Sequence, residues 1–315
     1  GTFSANGVSD NLFTPSIAGI GTHKVSYHLV VDGCENTSSK TVRVVAPVVS
    51  FSNLKLSVCV DQEPYVIEAN PAGGVFTVND KVFNANEKPI FDPASSDWKL
   101  DANIVTYKFT DEFNCSNTIT RTVTIHPNPT IAISASVPVP ISICSGTELT
   151  LTANPTIGTA PFRYSWNNGE GLSRNYKFTA TSSVYQEKLY GVKVTDTYGC
   201  SNNASIQVAI KPSPEIVVDQ TLIKGVTCPG WNDGELGFRV NFGGVGNIDY
   251  SIVPHNNAGN HAYPRTTTPN GLVKYTDLSM GNHIITAISQ DNGCSDIENA
   301  AIPNDGPYFE FVCPD

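Results

Sequence analysis

Eight cysteines offer the most regular chemistry in this sequence: Cys34, Cys59, Cys115, Cys144, Cys200, Cys228, Cys294 and Cys313. A thiol can pair as a disulfide, ligate a metal or act as a nucleophile, and spacing discriminates among these. The eight alternate between two classes. One closes a turn, as in Asp32-Gly33-Cys34, Asp111-Glu112-Phe113-Asn114-Cys115, Asp196-Thr197-Tyr198-Gly199-Cys200 and Asp291-Asn292-Gly293-Cys294. The other follows a short apolar stretch, as in Val58-Cys59, Ile143-Cys144, Thr227-Cys228-Pro229 and Val312-Cys313-Pro314. The opening class recurs at a nearly constant interval, and the turn class keeps almost the same one. A period kept by two independent markers is the signature of tandem modules. No Cys-x2-Cys pair or Cys/His cluster suits zinc, and no cysteine shares a sequence context with a plausible base for nucleophilic catalysis.

Pairing within modules would give Cys59–Cys115, Cys144–Cys200 and Cys228–Cys294, with Cys34 and Cys313 left unpaired at the two ends. The first two would close loops of identical length, which favours bridges within modules. A bridge between neighbouring modules stays open, because spacing alone does not fix connectivity. Alternating cysteines in small repeated β modules, with one Met in the chain, suit an oxidising, extracellular setting.

Three other groups could do chemistry. His255 and His261 could hold a metal on a loop, but two histidines without a third ligand describe a solvated loop better. Asp32, Asp111 and Asp196 could contribute to calcium sites between modules; no Asp-x-Asp-x-Asp series accompanies them, and turn formation accounts for them. No cofactor is therefore expected, with calcium the one ion to consider. Trp231 follows Pro-Gly and precedes Asn-Asp-Gly, which makes it the best exposed tryptophan to stack on a sugar ring. Trp98 could do likewise, whereas Trp166 alternates with Tyr164 and Phe162 on a strand and reads as core.

The elements that must position these residues are strands. Val25, Tyr27 and Leu29 alternate with Lys24, Ser26 and His28, and the same period of two recurs at Val105–Phe109, Leu149–Thr152, Val192–Thr195 and Phe238–Phe242. That is the pattern of half-buried antiparallel strands, and no 3.6-residue helical period competes with it. About seven short strands per module predict an all-β fold of tandem immunoglobulin-like or polycystic-kidney-disease-like Greek-key sandwiches in a linear array. The turn class falls in a hairpin between the last two strands, with Asp opening it and Gly, or Asn114, at the left-handed position. Residues 1–47 are expected to be the C-terminal part of one module; 48–128, 129–213 and 214–304 are whole modules; 305–315 open another, with Tyr308–Val312 as its first strand. Proline marks the joints at Pro47, Pro127, Pro129, Pro212, Pro214 and Pro303.

Composition removes several function classes. The chain has 315 residues, 19 Lys+Arg against 29 Asp+Glu, and a formal net charge of −10. Without a basic run it has no electrostatic footprint for nucleic acid or an anionic membrane surface, and no apolar run reaches the ~18 residues of a membrane span. Gly1-Thr2-Phe3-Ser4 is not a signal peptide, so a mature chain or an internal fragment is expected. No Gly-x-Ser-x-Gly, phosphate loop or selectable carboxylate pair points to an enzyme.

Longer motifs add a resemblance. Tyr190-Gly191-Val192-Lys193-Val194 followed by Asp196-Thr197-Tyr198-Gly199-Cys200 resembles the close of repeats in large surface proteins of Bacteroidetes-type bacteria. Cys228-Pro229-Gly230-Trp231-Asn232-Asp233-Gly234 resembles the opening of the SprB-type repeat, and Pro161-Phe162-Arg163-Tyr164-Ser165-Trp166 matches its Pro-Tyr-x-Tyr-x-Trp strand. The module at 214–304 has Gln290 where the family has Asp, and lacks that strand. The resemblance implies a long cell-surface adhesin, exported by the type IX secretion system and used in gliding motility and attachment. It makes extracellular surfaces or polysaccharides, and neighbouring modules of the same polypeptide, the expected partners, without nucleic acid or direct membrane insertion. Two other functions fit the same residues: a carbohydrate-binding array on a secreted enzyme, or a passive stalk.

Overall fold

The computed structural model describes residues 1–85, 87–167, 172–254 and 271–306, together with the backbone of residues 265–267. Among these the chain is all-β, a tandem series of immunoglobulin-like sandwiches; a four-residue helix at Pro15–Ala18 and a 3-10 turn at Gln220–Leu222 are the helical elements. It divides into two compact units. The first comprises Gly1–Pro129 with the short segments Ile157–Pro161 and Asp196–Ser201, and the second the remaining described residues.

In the first unit, Gly21–Val31 and Cys34–Val44 form one long hairpin with Val31 opposite Cys34, and Thr2–Ser4 pairs with the free edge of Gly21–Val31. The alternation at Val25, Tyr27 and Leu29 does not produce a buried core here: Val25 and Tyr27 are half-buried, Leu29 is exposed, and Ala18 is the buried apolar side chain of the segment, whose only other sheet among its described residues is the small two-stranded one of Val8–Ser9 and Leu12–Phe13. Phe3, Phe13, Val25, Tyr27 and Val42 instead line an open groove of about 460 Å³.

The second part of this unit is a sandwich. Its main sheet runs Lys81–Val82, Val75–Val78, Asp101–Thr110, Ser116–His126, Ser57–Cys59, and the last pairing is parallel. Val105 and Tyr107 are buried while Thr106 and Lys108 are not, as period-two alternation requires. They pack with Val58, Ile67, Phe76, Phe91, Trp98, Val123 and Ile125 into one core. Each large apolar side chain removed from water there contributes about 1.5–3 kcal/mol.

Two further cores lie in the second unit. One, drawn from Ile141 to Ile210, sits between the sheet of Ile131–Ala135, Glu148–Pro155 and Asn175–Thr179 and that of Ile141–Cys144, Ser201–Lys211, Gln186–Thr195 and Arg163–Trp166. The chain changes sheets between Ala135 and Ile141, so that Ile141–Cys144 lies parallel to the last strand. The other core, from Ile216 to Ile302, is built on Phe238, Val240, Tyr250, Ile252, Tyr275 and Ile285.

Candidate functional site

The site that recurs is the pair of module ends carrying the cysteines. At the turn end, Asp111 accepts hydrogen bonds at Oδ1 from the backbone N–H of Phe113 and Cys115, at 3.0 and 2.8 Å. Asp196 does the same for Tyr198 and Cys200, at 2.9 Å each. Both turns close with a backbone bond from Asp N to Cys O of 2.9 Å. Asn114 and Gly199 take the left-handed backbone, with φ of 60° and 87°; Asn tolerates that region better than most residues with a side chain. These aspartates thus shape turns. Among the described residues no group of three or more His, Cys, Asp or Glu is placed to hold a metal ion.

At the opening end a short strand carries the other cysteine to the far end of the sheet. Cys59 lies beside His126 and Cys144 beside Lys211 in parallel register. The residue after each cysteine completes the contact, Val60 N donating to His126 O at 2.9 Å and Ser145 N to Lys211 O at 2.7 Å.

These placements overturn the pairing expected from equal spacing. Cys115 immediately precedes an 11-residue strand, Ser116–His126, whose other end holds Cys59. At about 3.3 Å per residue the two cysteines are separated by some 35 Å, far beyond the ~7 Å between Cα atoms that a disulfide spans. The same geometry separates Cys144 from Cys200. The bridges are Cys59–Cys200 and Cys144–Cys294, with Cα separations of 5.4 and 5.6 Å at sequence separations of 141 and 150. Each joins the opening cysteine of one module to the turn cysteine of the next in sequence. Cys34, Cys115 and Cys228 are free thiols, so Cys115 and Cys228 are not bonded to Cys59 and Cys294 as expected. Cys313, His255, His261 and the strand expected at Tyr308–Val312 lie outside the described residues.

Polar and aromatic contacts surround both bridges. The Tyr198 ring stacks on His126 at 3.7 Å between centroids, 13° from parallel, and His126 Nε2 meets Ser57 Oγ at 2.9 Å. At the second bridge Lys211 Nζ donates to Asn292 O and Asn292 Nδ2 to Pro212 O, both at 3.0 Å. The residue two before the turn cysteine therefore meets the segment beside the opening cysteine in both places. Sequence reasoning missed His126 and Lys211; their signal was position, since each stands equally far after its own module's turn cysteine.

The tryptophans separate cleanly. Trp98 and Trp166 are core: their Nε1 groups donate to Ile90 O at 3.0 Å and Ser173 O at 3.1 Å, so Trp98 is not placed to stack on a ligand. Trp231 is 60% exposed, on a turn closed by its N–H to Cys228 O at 3.0 Å. Asp233 holds this loop from below, accepting from Thr227 Oγ1 at 2.6 Å and Thr227 N at 3.0 Å. The Thr227 side-chain bond, then its backbone bond, holds the Asp233 carboxyl below the ordinary carboxylate range.

No family model and no curated protein matches this chain. Several solved structures are similar. The eight N-terminal Ig domains of Down syndrome cell adhesion molecule align at 11% identity, over 91% of this chain and 40% of that one, with a TM-score of 0.42. Hemolin, an insect immune protein, aligns at 12% identity over 90% and 82%, with a TM-score of 0.29. A Ca2+-stabilized adhesin, described as helping an Antarctic bacterium reach out and bind ice, aligns at 12% identity over 90% and 82%, with a TM-score of 0.27. The chain thus spans less than half of the first of these.

Proposed function

We propose that this chain is a non-enzymatic, force-transmitting segment of an extracellular cell-surface adhesin. The observation that carries this is the pair of bridges that cross module boundaries, Cys59–Cys200 and Cys144–Cys294. Such bonds form and persist in oxidising surroundings, which supports placing the chain outside the cell. No helix among the described residues is long and apolar enough to cross a membrane.

The bridges overlap, and that overlap is what suits them to tension. The shortest covalent route from Cys59 to Cys294 crosses to Cys200, runs back along the chain to Cys144 and crosses the second bridge. Without bridges the route is the whole backbone between Cys59 and Cys294. At about 3.4 Å per residue these extend to roughly 190 Å and roughly 800 Å. A staple within one module would cap the extension of that module alone, whereas a staple across modules also ties each to the next.

The repeat motifs at Tyr190–Cys200 and Cys228–Gly234 support assignment to the SprB-type adhesins, with gliding motility and attachment as the task and type IX secretion as the export route. Extracellular surfaces or polysaccharides are the partners we propose, held weakly at many points so that avidity does the work. A second reading, a carbohydrate-binding array, rests on the exposure of Trp231. It would give a saturable sugar site abolished by Trp231→Ala.

Pulling the chain by its ends in an optical trap, oxidised and then reduced, tests the mechanical reading. Stretching between Cys59 and Cys294 should stop near roughly 190 Å when oxidised and release about 600 Å more after reduction. Release of the full length from the oxidised protein would overturn it.

A further inference from the structure

Both bridges in this chain obey one rule: an opening cysteine pairs with a turn cysteine one module further on, never like with like. Cys115 and Cys228 are the cysteines of whole modules that the rule leaves without a partner, and each retains the geometry of its bonded counterparts. The Cys115 turn has the same three hydrogen bonds as the Cys200 turn, donor for donor. Phe113 occupies the place of Tyr198 two residues before the cysteine, but it is 77% exposed, with no ring stacked against it among the described contacts. On the opening side, Val226 pairs in parallel with Asn304, donating to Pro303 O and accepting from Asp305 N at 2.9 and 3.0 Å. That bridge brings Cys228 to the same end of its sheet as Cys59 and Cys144, and Asp233 fixes the loop that follows.

We infer that Cys115 and Cys228 are the two open halves of this same disulfide. Cys228 takes a turn cysteine, and Cys115 takes an opening-strand cysteine, each carried by a further sandwich module of this pattern. The exposed Phe113 ring would then cover the residue beside the incoming cysteine, as Tyr198 covers His126. The chemistry is thiol–disulfide exchange. With glutathione disulfide as oxidant, one module thiolate attacks it and releases one glutathione; the second module thiolate attacks the mixed disulfide and releases the other. Two thiols are oxidised, one disulfide is reduced, and two protons leave with the two glutathione thiols. The inference rests on the cross-module reading of the bridges, and its test separates the two.

The test keeps the full chain and appends a copy of residues 231–304 after Asp315, so that Val312-Cys313-Pro314 stands where Thr227-Cys228-Pro229 stands in the module copied. The copied Ile297 is changed to Val as a mass label. Peptide mapping without reduction should find Cys228 joined to the copied Cys294, with Cys59–Cys200 and Cys144–Cys294 unchanged. Replacing the copied Cys294 by Ser should return Cys228 to an alkylatable thiol. Cys228 left free, or joined to its own Cys294, overturns the inference. Loss of the two existing bridges in the unextended chain would instead overturn the reading beneath it. Should the added module fail to fold, the unextended chain at high concentration in a glutathione redox buffer gives the second measurement. Links between chains should join Cys228 or Cys313 to Cys34 or Cys115; links of like class, or monomer only, overturn the inference.

Discussion

Tyr198 lies flat on His126, ring centroids 3.7 Å apart, although the two residues belong to different modules of the sequence. His126 is also the register partner of Cys59, and Tyr198 precedes Cys200 by two positions. The stack and the disulfide are therefore one joint, an aromatic contact beside a covalent one. A stacked pair of this kind contributes about 0.5–1.5 kcal/mol beyond its buried area. Tyr198→Ala should lower the urea midpoint of the oxidised protein by a corresponding amount while leaving Cys59–Cys200 formed. Tyr198→Phe, which keeps the ring, should fall close to the parent.

Removing a bridge acts chiefly on the unfolded chain. Loops with sequence separations of 141 and 150 are closed here, and cross-linking loops of that size removes about 5 kcal/mol each of closure entropy. Cys59→Ser with Cys200→Ser should destabilise by an amount of that order, read by urea unfolding through Trp98 and Trp166. Cys115→Ser and Cys228→Ser remove thiols that have no bond here and should leave the unfolding curve unmoved.

The aspartate turns set where the turn cysteines point. Asp196→Ala strands two backbone N–H groups that Oδ1 now satisfies, and also the Thr159 N–H bonded to Oδ2 at 3.2 Å. Leaving buried donors unpaired costs about 1–3 kcal/mol. Refolding of the reduced Asp196→Ala protein should give a lower yield of Cys59–Cys200. The same change at Asp111 should leave the yield of both bridges intact, since Cys115 takes part in neither.

The loop carrying Cys228 and Trp231 should respond to acid. The Asp233 carboxyl is held below the ordinary range first by the Thr227 hydroxyl and then by its backbone N–H. A depressed carboxyl stabilises the fold above its unfolded pKa, about 3.9, and loses that contribution as pH falls through its lower folded value. Trp231 fluorescence should accordingly be flat from about pH 7 to about pH 5 and change below about pH 4. Asp233→Ala should show the acid form's emission already at neutral pH.

Much of the fold was legible in the sequence because burial imposes period two on strands that face a second sheet. Val105 with Tyr107, Val192 with Val194 and Phe238 with Val240 all point into cores. Where only a small two-stranded sheet, Val8–Ser9 with Leu12–Phe13, accompanies the hairpin, the same alternation leaves Leu29 exposed and Val25 and Tyr27 lining an open groove. The two classes of cysteine were equally legible, as were Asp111, Asp196 and the left-handed Asn114; at the Cys294 turn it is Asn292 Oδ1, not Asp291, that accepts from the Cys294 N–H, and Ser289 N that closes the turn on Cys294 O. The connectivity was not legible. Equal spans within modules cannot choose the pairing, since they reflect the period of the chain, not a bond: the bridges that form have unequal separations of 141 and 150. The choice is made by strand length: Ser116–His126 and Ser201–Lys211 each carry 11 residues between the two cysteine levels. Their lengths become binding only once the opening strand is known to lie parallel to the end of the last strand.

The most direct measurement is peptide mapping of the whole protein, digested without reduction after free thiols are alkylated. Cross-linked peptides should contain Cys59 with Cys200 and Cys144 with Cys294, and alkylated peptides should contain Cys34, Cys115 and Cys228. Peptides joining Cys59 to Cys115, or Cys144 to Cys200, would contradict the cross-module staple and the mechanical function built on it.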